Sequence, residues 1–233
     1  MAATLTARPR TTADEGKRLV ERGYDRIAVA YAAAGTTISR RDSKYLALLM
    51  ERLSPGARVL DLGCGAGVGI TPALAARYEV TGVDLSEKQL EIARRAVPNA
   101  TFFRGDMTKV AFRAGSFDAI TSFAAIFHVP REEHRTLFRH MHRWLRPGGL
   151  LLVTLGADDW LSTDDDRFMG VPMYWSQFDA RTGKNLVREC GFRILRSSIE
   201  REEFLGEPEV HLYVLAAKPR GPRRRAALKS RPT

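Results

Sequence analysis

Cysteine is almost absent from this chain: Cys64 and Cys190 are the only two in 233 residues. That excludes a disulfide-stapled scaffold and any C-x-x-C metal corner. No His, Cys and carboxylate cluster has ligand spacing, so no metal site is expected. Long apolar runs are missing as well. None approaches the roughly 18 residues of a membrane-spanning helix. Residues 1 to 12 are rich in Arg and Thr but lack the apolar stretch of a secretory signal. A cytoplasmic protein with no membrane association is the expectation. Acidic residues are missing from both ends. The net charge is +10, but residues 219 to 233 hold six of those charges and residues 1 to 10 hold two. The body from 11 to 218 is left nearly neutral, so nucleic acid is not an expected partner except through the basic tails.

The densest feature present is Val59-Leu60-Asp61-Leu62-Gly63-Cys64-Gly65-Ala66-Gly67. It predicts a short buried strand, a tight glycine turn and a helix leaving it. Glycine permits positive φ there and lets a ligand approach the backbone. The next predicted strand ends at Asp84, where a carboxylate can accept hydrogen bonds from a ribose diol. A third acid, Asp106, follows a strand near 101 to 104. Three strands ending in Asp61, Asp84 and Asp106 make a nucleoside site along one sheet edge. A dinucleotide fingerprint needs a third glycine or alanine, and Val68 or Ile70 stands there instead.

Elsewhere the pattern predicts helices at 14–34, 39–53, 67–78, 86–97, 131–146 and 179–190. Strands are predicted at 57–62, 79–84, 100–104, 117–123, 149–155, 192–199 and 209–217. The alternation implies a parallel sheet with helices on both faces. The ordered unit spans 14 to 218, interrupted by an insertion near 156–178. Residues 1–13 and 219–233 are expected to be disordered ends.

The D-x-G-x-G-x-G run resembles motif I of the class I S-adenosylmethionine methyltransferases. The resemblance continues through Asp84, Gly105-Asp106-Met107, the strand 117–123 and Leu145-Arg146-Pro147-Gly148-Gly149-Leu150, over roughly residues 24 to 218. It implies an α/β, Rossmann-like, doubly wound fold with a mostly parallel seven-stranded sheet. It also implies an antiparallel last strand, N-terminal helices and a lid insertion. S-adenosylmethionine is the implied cofactor. Asp61 would help hold its methionine ammonium, and Gly63 and Gly65 would approach the methionine and ribose. Asp84 would take the ribose hydroxyls, with Leu85 beside the adenine. Asp106 would receive the adenine amino group, with Met107 packing there, and Phe123 would lend a carbonyl near the ammonium. Tyr24 and Tyr31, seven apart on one helix face, either cover the cofactor or sit at the edge of the core.

The insertion carries Trp160, Tyr174 and Trp175, two of the chain's three tryptophans. Leaving the carboxyl end of a strand, it reads as an aromatic lid over an acceptor pocket or as a surface excursion pinned by its aromatics. Of five histidines, His134 is an ordinary helix residue, and His140 and His142 face different ways. His211 is a weaker candidate in the last strand. His128 follows the strand beside the nucleoside site, as a base or acceptor-orienting group or as a histidine packed under the lid. The expected activity is methyl transfer to an O, N or C atom of a small molecule. A tRNA or rRNA methyltransferase and a non-enzymatic cofactor-binding protein are the alternatives.

Overall fold

The computed structural model describes residues 11–35, 38–162 and 167–221. Its centre is a sheet of seven strands. In chain order they are β1 (Arg58–Leu62), β2 (Glu79–Asp84), β3 (Thr101–Arg104), β4 (Phe117–Ser122), β5 (Leu145–Gly156), β6 (Arg193–Phe204) and β7 (Glu207–Ala217). The spatial order is β6-β7-β5-β4-β1-β2-β3. The β1/β2, β2/β3, β1/β4 and β4/β5 pairs are parallel, whereas β7 runs antiparallel to both β5 and β6. The expected mostly parallel, doubly wound sheet with an antiparallel last strand is therefore what the chain forms. The winding reverses between β1 and β4, which opens a crevice at their carboxyl ends.

Central strands covered on both faces need apolar residues at every position rather than at alternate ones. Val59, Leu60 and Leu62 meet that need. Leu60 and Leu62 pack with Ile120, Leu137 and Phe138 on one face. Val59 packs with Leu49, Leu74 and Leu90 on the other. Among the described residues five helices supply those layers: α2 (Arg40–Met50), α3 (Ile70–Ala75), α4 (Glu87–Ala96), α5 (Arg131–Trp144) and α6 (Ala180–Glu189), whereas α1 (Ala13–Ala34) packs on Val171, Met173 and Tyr174.

Several boundaries differ from the sequence expectation for local reasons. Helix α1 starts earlier, because Thr12 accepts from the Glu15 amide and the Glu15 carboxylate returns a bond to Thr12, a capping box. The basic and N-terminal ends beyond 221 and before 11 lie outside the described residues. Helix α3 is shorter than expected, since Gly67 and Gly69 hold φ of 63° and 73° and keep the chain out of helix. Helix α5 stops at Trp144 and β5 begins at once. Pro147 disfavours helical backbone at Arg146, and Leu145 already pairs with Phe117. The last hairpin is longer than predicted. Leu205 and Gly206, at φ 54° and 85°, supply the two positive dihedrals of a tight primed turn.

The insertion after β5 carries two short ladders, Trp160–Leu161 with Ser176–Gln177 and Arg167–Phe168 with Val171–Pro172. It rests on α1. A Cβ on Gly16 would lie 2.9 Å from the Tyr174 ring, and one on Gly23 would lie 2.9 Å from Met173 Cε. These two glycines, seven apart on one helix face, are flat seats for two buried lid side chains. Among the described residues no helix is long and apolar enough to cross a membrane.

Candidate functional site

The glycine turn sits at the carboxyl end of β1, and its glycines do different things. Gly63, Gly65 and Gly67 all have positive φ, at 71°, 56° and 63°. A Cβ on Gly63 would fall 2.3 Å from Ala125 Cβ, and one on Gly67 would fall 2.9 Å from Ala93 Cβ on α4. Those two positions let the turn pack against its neighbours. At Gly65 a Cβ would meet only Gln89 Oε1, 3.9 Å away. Among the described residues both polar atoms of the buried Gln89 amide lack a hydrogen-bond partner. An unsatisfied buried amide is costly. Room above Gly65 beside such an amide fits a polar ligand seated on the turn.

Three carboxylates belong to this end of the sheet, and Asp84 is the one that touches Gly65. Asp84 accepts from the Gly65 amide at 2.8 Å and the Ser86 amide at 2.9 Å. Burial pushes its carboxyl up, and the Ser86 and Gly65 amides pull part of the way back. Each oxygen retains acceptor capacity for a diol. Asp61 is buried and accepts from the Thr71 and Thr121 hydroxyls, both at 2.8 Å. Burial raises its carboxyl to about 6 against the pull of the two threonines.

Asp106 is more heavily engaged than its expected adenine-binding role implies. Its Oδ1 accepts from both the amide and the hydroxyl of Thr108 at 2.8 Å, and its Oδ2 accepts from Lys17 Nζ at 2.8 Å. One acceptor position, on Oδ2, remains. Burial opposes ionisation of Asp106, but Lys17 and Thr108 outweigh it and hold the carboxyl below its usual value. Lys17 also reaches the Thr108 hydroxyl and Glu133. It is buried at 7% exposure. The sequence reading missed it, since one lysine on an amphipathic helix carries no distinguishing pattern.

Lys17 is one of several ties that lay α1 across the carboxyl edge. Asp25 accepts from Ser86 Oγ at 2.6 Å and from the Lys88 amide at 3.2 Å, at the start of α4. Glu21 pairs with Arg104. Half-buried Leu85, Met107 and Phe123 line the same edge. Just past Phe123, Ala124 sits at φ 46° and its amide donates to Thr154 Oγ1 at 2.6 Å. A non-glycine residue held there is strained, and the chain turns sharply out of β4 at that point.

The turn delivers His128, on the short helical turn Ile126–His128, beneath the lid. Its Nδ1 lies 2.7 Å from the Tyr174 carbonyl oxygen, and its Nε2 lies 2.9 Å from Tyr24 Oη. A carbonyl only accepts, so Nδ1 carries the proton and Nε2 accepts from the Tyr24 hydroxyl. Burial lowers His128 to about 4, with the Tyr174 carbonyl opposing. Burial likewise pushes the Tyr24 hydroxyl well above its usual range and Tyr31 up to about 12. Both groups are therefore neutral at neutral pH.

Aromatic rings complete the enclosure. Tyr31 meets Tyr24 edge-on at 5.2 Å, and Trp175 stands 5.7 Å from His128. Phe168 of the lid lies 6.3 Å from Trp175 and stacks at 6.2 Å on Phe204 from the tip of β6. The structure thus brings Tyr24, Tyr31, His128 and Trp175 together. Trp160 stands at the rim, half exposed and 6.3 Å from Trp175. Tyr174 is placed differently from the expected pocket wall. Its ring packs on Gly16 of α1, and its backbone carbonyl faces His128. Phe204 was not singled out from sequence, because the hairpin reaches the insertion only through its unforeseen length.

Comparison with known proteins agrees with this geometry. A family model described as a methyltransferase domain matches residues 59–149. An uncharacterized methyltransferase of Synechocystis sp. is 30% identical over 166 residues, covering 68% of this chain and 78% of that protein. The 2-methyl-6-phytyl-1,4-hydroquinone methyltransferase of Synechocystis sp. is 34% identical over 134 residues, 55% of this chain and 39% of that protein. This chain thus spans well under half the length of that second relative. A solved SAM-dependent methyltransferase from Methanosarcina mazei superposes with a TM-score of 0.65 at 21% identity, covering 74% of this chain and 97% of that one. At that identity the likeness is one of fold.

Proposed function

Because the chain belongs to the class I S-adenosylmethionine-dependent methyltransferases, we propose that it methylates a small, largely apolar acceptor bearing a hydroxyl or amine. The observation that carries this reading is the chain Tyr24–His128–Tyr174 beside the glycine turn, enclosed by aromatic rings. One curated relative is named for a hydroquinone, an apolar ring with acidic hydroxyls. A phenol of that kind suits an aromatic-lined crevice.

Gly65, Asp84 and the Gln89 amide would hold the nucleoside of the cofactor, and Asp61 would help stabilise its methionine ammonium. When bound, S-adenosylmethionine would supply a sulfonium-bound methyl group open to in-line attack by an acceptor lone pair, with the thioether as leaving group. The protein's part is to position the acceptor, exclude water and receive its proton. The acceptor hydroxyl would donate to Tyr24 Oη while the Tyr24 proton passes to His128 Nε2. His128 would then be an imidazolium whose Nδ1 proton stays on the Tyr174 carbonyl. With its basicity lowered by burial, His128 returns that proton readily once the product has left. The expected cytoplasmic location belongs to this proposal too, and cell fractionation tests it.

The test is S-adenosylhomocysteine formation with a panel of hydroquinones, catechols and amines, using wild type and Tyr24→Phe. Tyr24→Phe should lower kcat about 10²-fold while S-adenosylhomocysteine binding persists. Turnover only with an oligonucleotide, or a Tyr24→Phe enzyme with wild-type kcat on the best acceptor, would overturn the reading.

A further inference from the structure

We propose that the amino-terminal edge of the sheet, opposite the methyl-transfer crevice, is a second binding site for a small ligand bearing an oligophosphate group. A cavity of about 540 Å³ opens there, between the starts of β4, β5 and β6, the end of β7 and the residues after α2. That volume lies within the range of small-molecule sites. Five cationic side chains line it, those of Arg52, Arg146, Arg193, Lys218 and Arg220, against the single carboxylate of Asp118.

The local hydrogen bonds decide which charges are free. Asp118 accepts from Arg146 Nε and from the Arg58 amide, so its charge is spent on the wall of the cavity. Lys218 Nζ is turned inward to the His142 and Leu145 carbonyls, at 2.7 and 2.8 Å. Arg52 donates to the Leu48 carbonyl at 2.6 Å. Arg193 and Arg220 are exposed and make no hydrogen bond or ion pair among the described residues. Arg220 also lies over the turn: its Nε stands 2.8 Å from where a Cβ on Gly148 would be. Reciprocal backbone bonds between Lys218 and the Gly148–Gly149 turn, each 2.9 Å, fix the place from which Arg220 departs.

Two uncommitted guanidiniums beside an already neutralised acid make a site for several negative charges. Their planar forks match phosphate oxygens pairwise. The floor is apolar, from Leu150 and Leu195, and can carry the non-phosphate part of the ligand. Among the described residues no aromatic side chain lines the cavity. Single-stranded nucleic acid is held largely by base stacking on aromatic rings, so the lining favours a small phosphorylated molecule over a polymer. This inference does not depend on the methyl-transfer reading.

Calorimetric titration of sodium tripolyphosphate and of ATP into the full-length protein tests it, at about 100 mM salt to screen diffuse attraction. Saturable binding of both probes at one site is expected. Arg193→Ala/Arg220→Ala should weaken it at least about tenfold, with the melting temperature retained because both residues are exposed. Replacing Arg223, Arg224 and Arg225 by alanine should leave binding within about twofold. The proposal fails if wild type shows no saturable binding, or if the double variant binds like wild type. It also fails if the Arg223–Arg225 replacement abolishes binding. A short single-stranded RNA that binds more tightly than ATP and depends on the same two arginines would reassign the site to a polymer.

Discussion

Lowering the pH from 7 to 4 strikes the centre of the proposed site, because His128 is held neutral between a lid carbonyl and a tyrosine hydroxyl. Its pKa drops from an ordinary 6.5 to about 4 in the folded protein, chiefly through burial. The unfolded chain therefore takes up this proton first. Stability is intact above about pH 6.5, declines as pH falls, and levels off below the folded value. Linkage gives a loss of about 2 kcal/mol by pH 5 and about 3 kcal/mol by pH 4 from this group alone. Asp61 works in the opposite direction. Its carboxyl is raised from 3.8 to about 6, again through burial, so the folded state binds that proton more readily. Acidification then returns about 2 kcal/mol by pH 4. The two effects largely cancel, and a melting curve of the wild type against pH would hide both. The informative quantity is the difference between wild type and His128→Gln, which lacks the titration but retains a polar side chain. Urea unfolding at half-unit steps from pH 7 to 4 should show wild type losing about 3 kcal/mol relative to the variant. A difference that stays flat to within about 0.5 kcal/mol would mean that the folded protein leaves His128 open to protonation, and the lid contact would have to be abandoned.

Two further outcomes are expected. Asp84→Ala should weaken S-adenosylhomocysteine binding by about 1.5–3 kcal/mol, since a charged hydrogen-bond acceptor is lost; calorimetry with unchanged affinity would move the ribose elsewhere. Lys17→Met should destabilise the protein by about 2–3 kcal/mol near neutral pH, leaving Asp106 and Glu133 without their shared cation. A Lys17→Met protein as stable as wild type in urea would remove that lysine as the strut of α1.

Much of the fold is legible because the strands are covered on both faces, which forces continuous apolar runs such as Leu150–Val153 between turn signals. The glycine run and the strand-end acids marked the crevice for the same reason: positive φ and close packing leave glycine little alternative. What stayed hidden depends on contacts between distant segments. Lys17 looks like any surface lysine until the chain sets it beside Asp106, 89 residues later. Tyr174 was chosen for its ring, yet the group facing His128 is its carbonyl, and a backbone atom has no sequence signature. Phe204 reaches the lid only because Leu205 tolerates positive φ at a turn, an allowance that leucine does not advertise.

The Tyr174 carbonyl also sets a timing. Histidine has two interchangeable tautomers, and the one present decides which nitrogen can take a proton. Here that choice is made by a backbone atom of the insertion, so in the proposed mechanism the imidazole would have its working polarity only while the insertion is seated. Were the insertion to lift, Nδ1 would lose its fixed partner and either nitrogen could turn to solvent. A base assembled only in the shut enclosure would waste few methyl groups on water, because the moment of reactivity and the moment of sealing are made by the same bond.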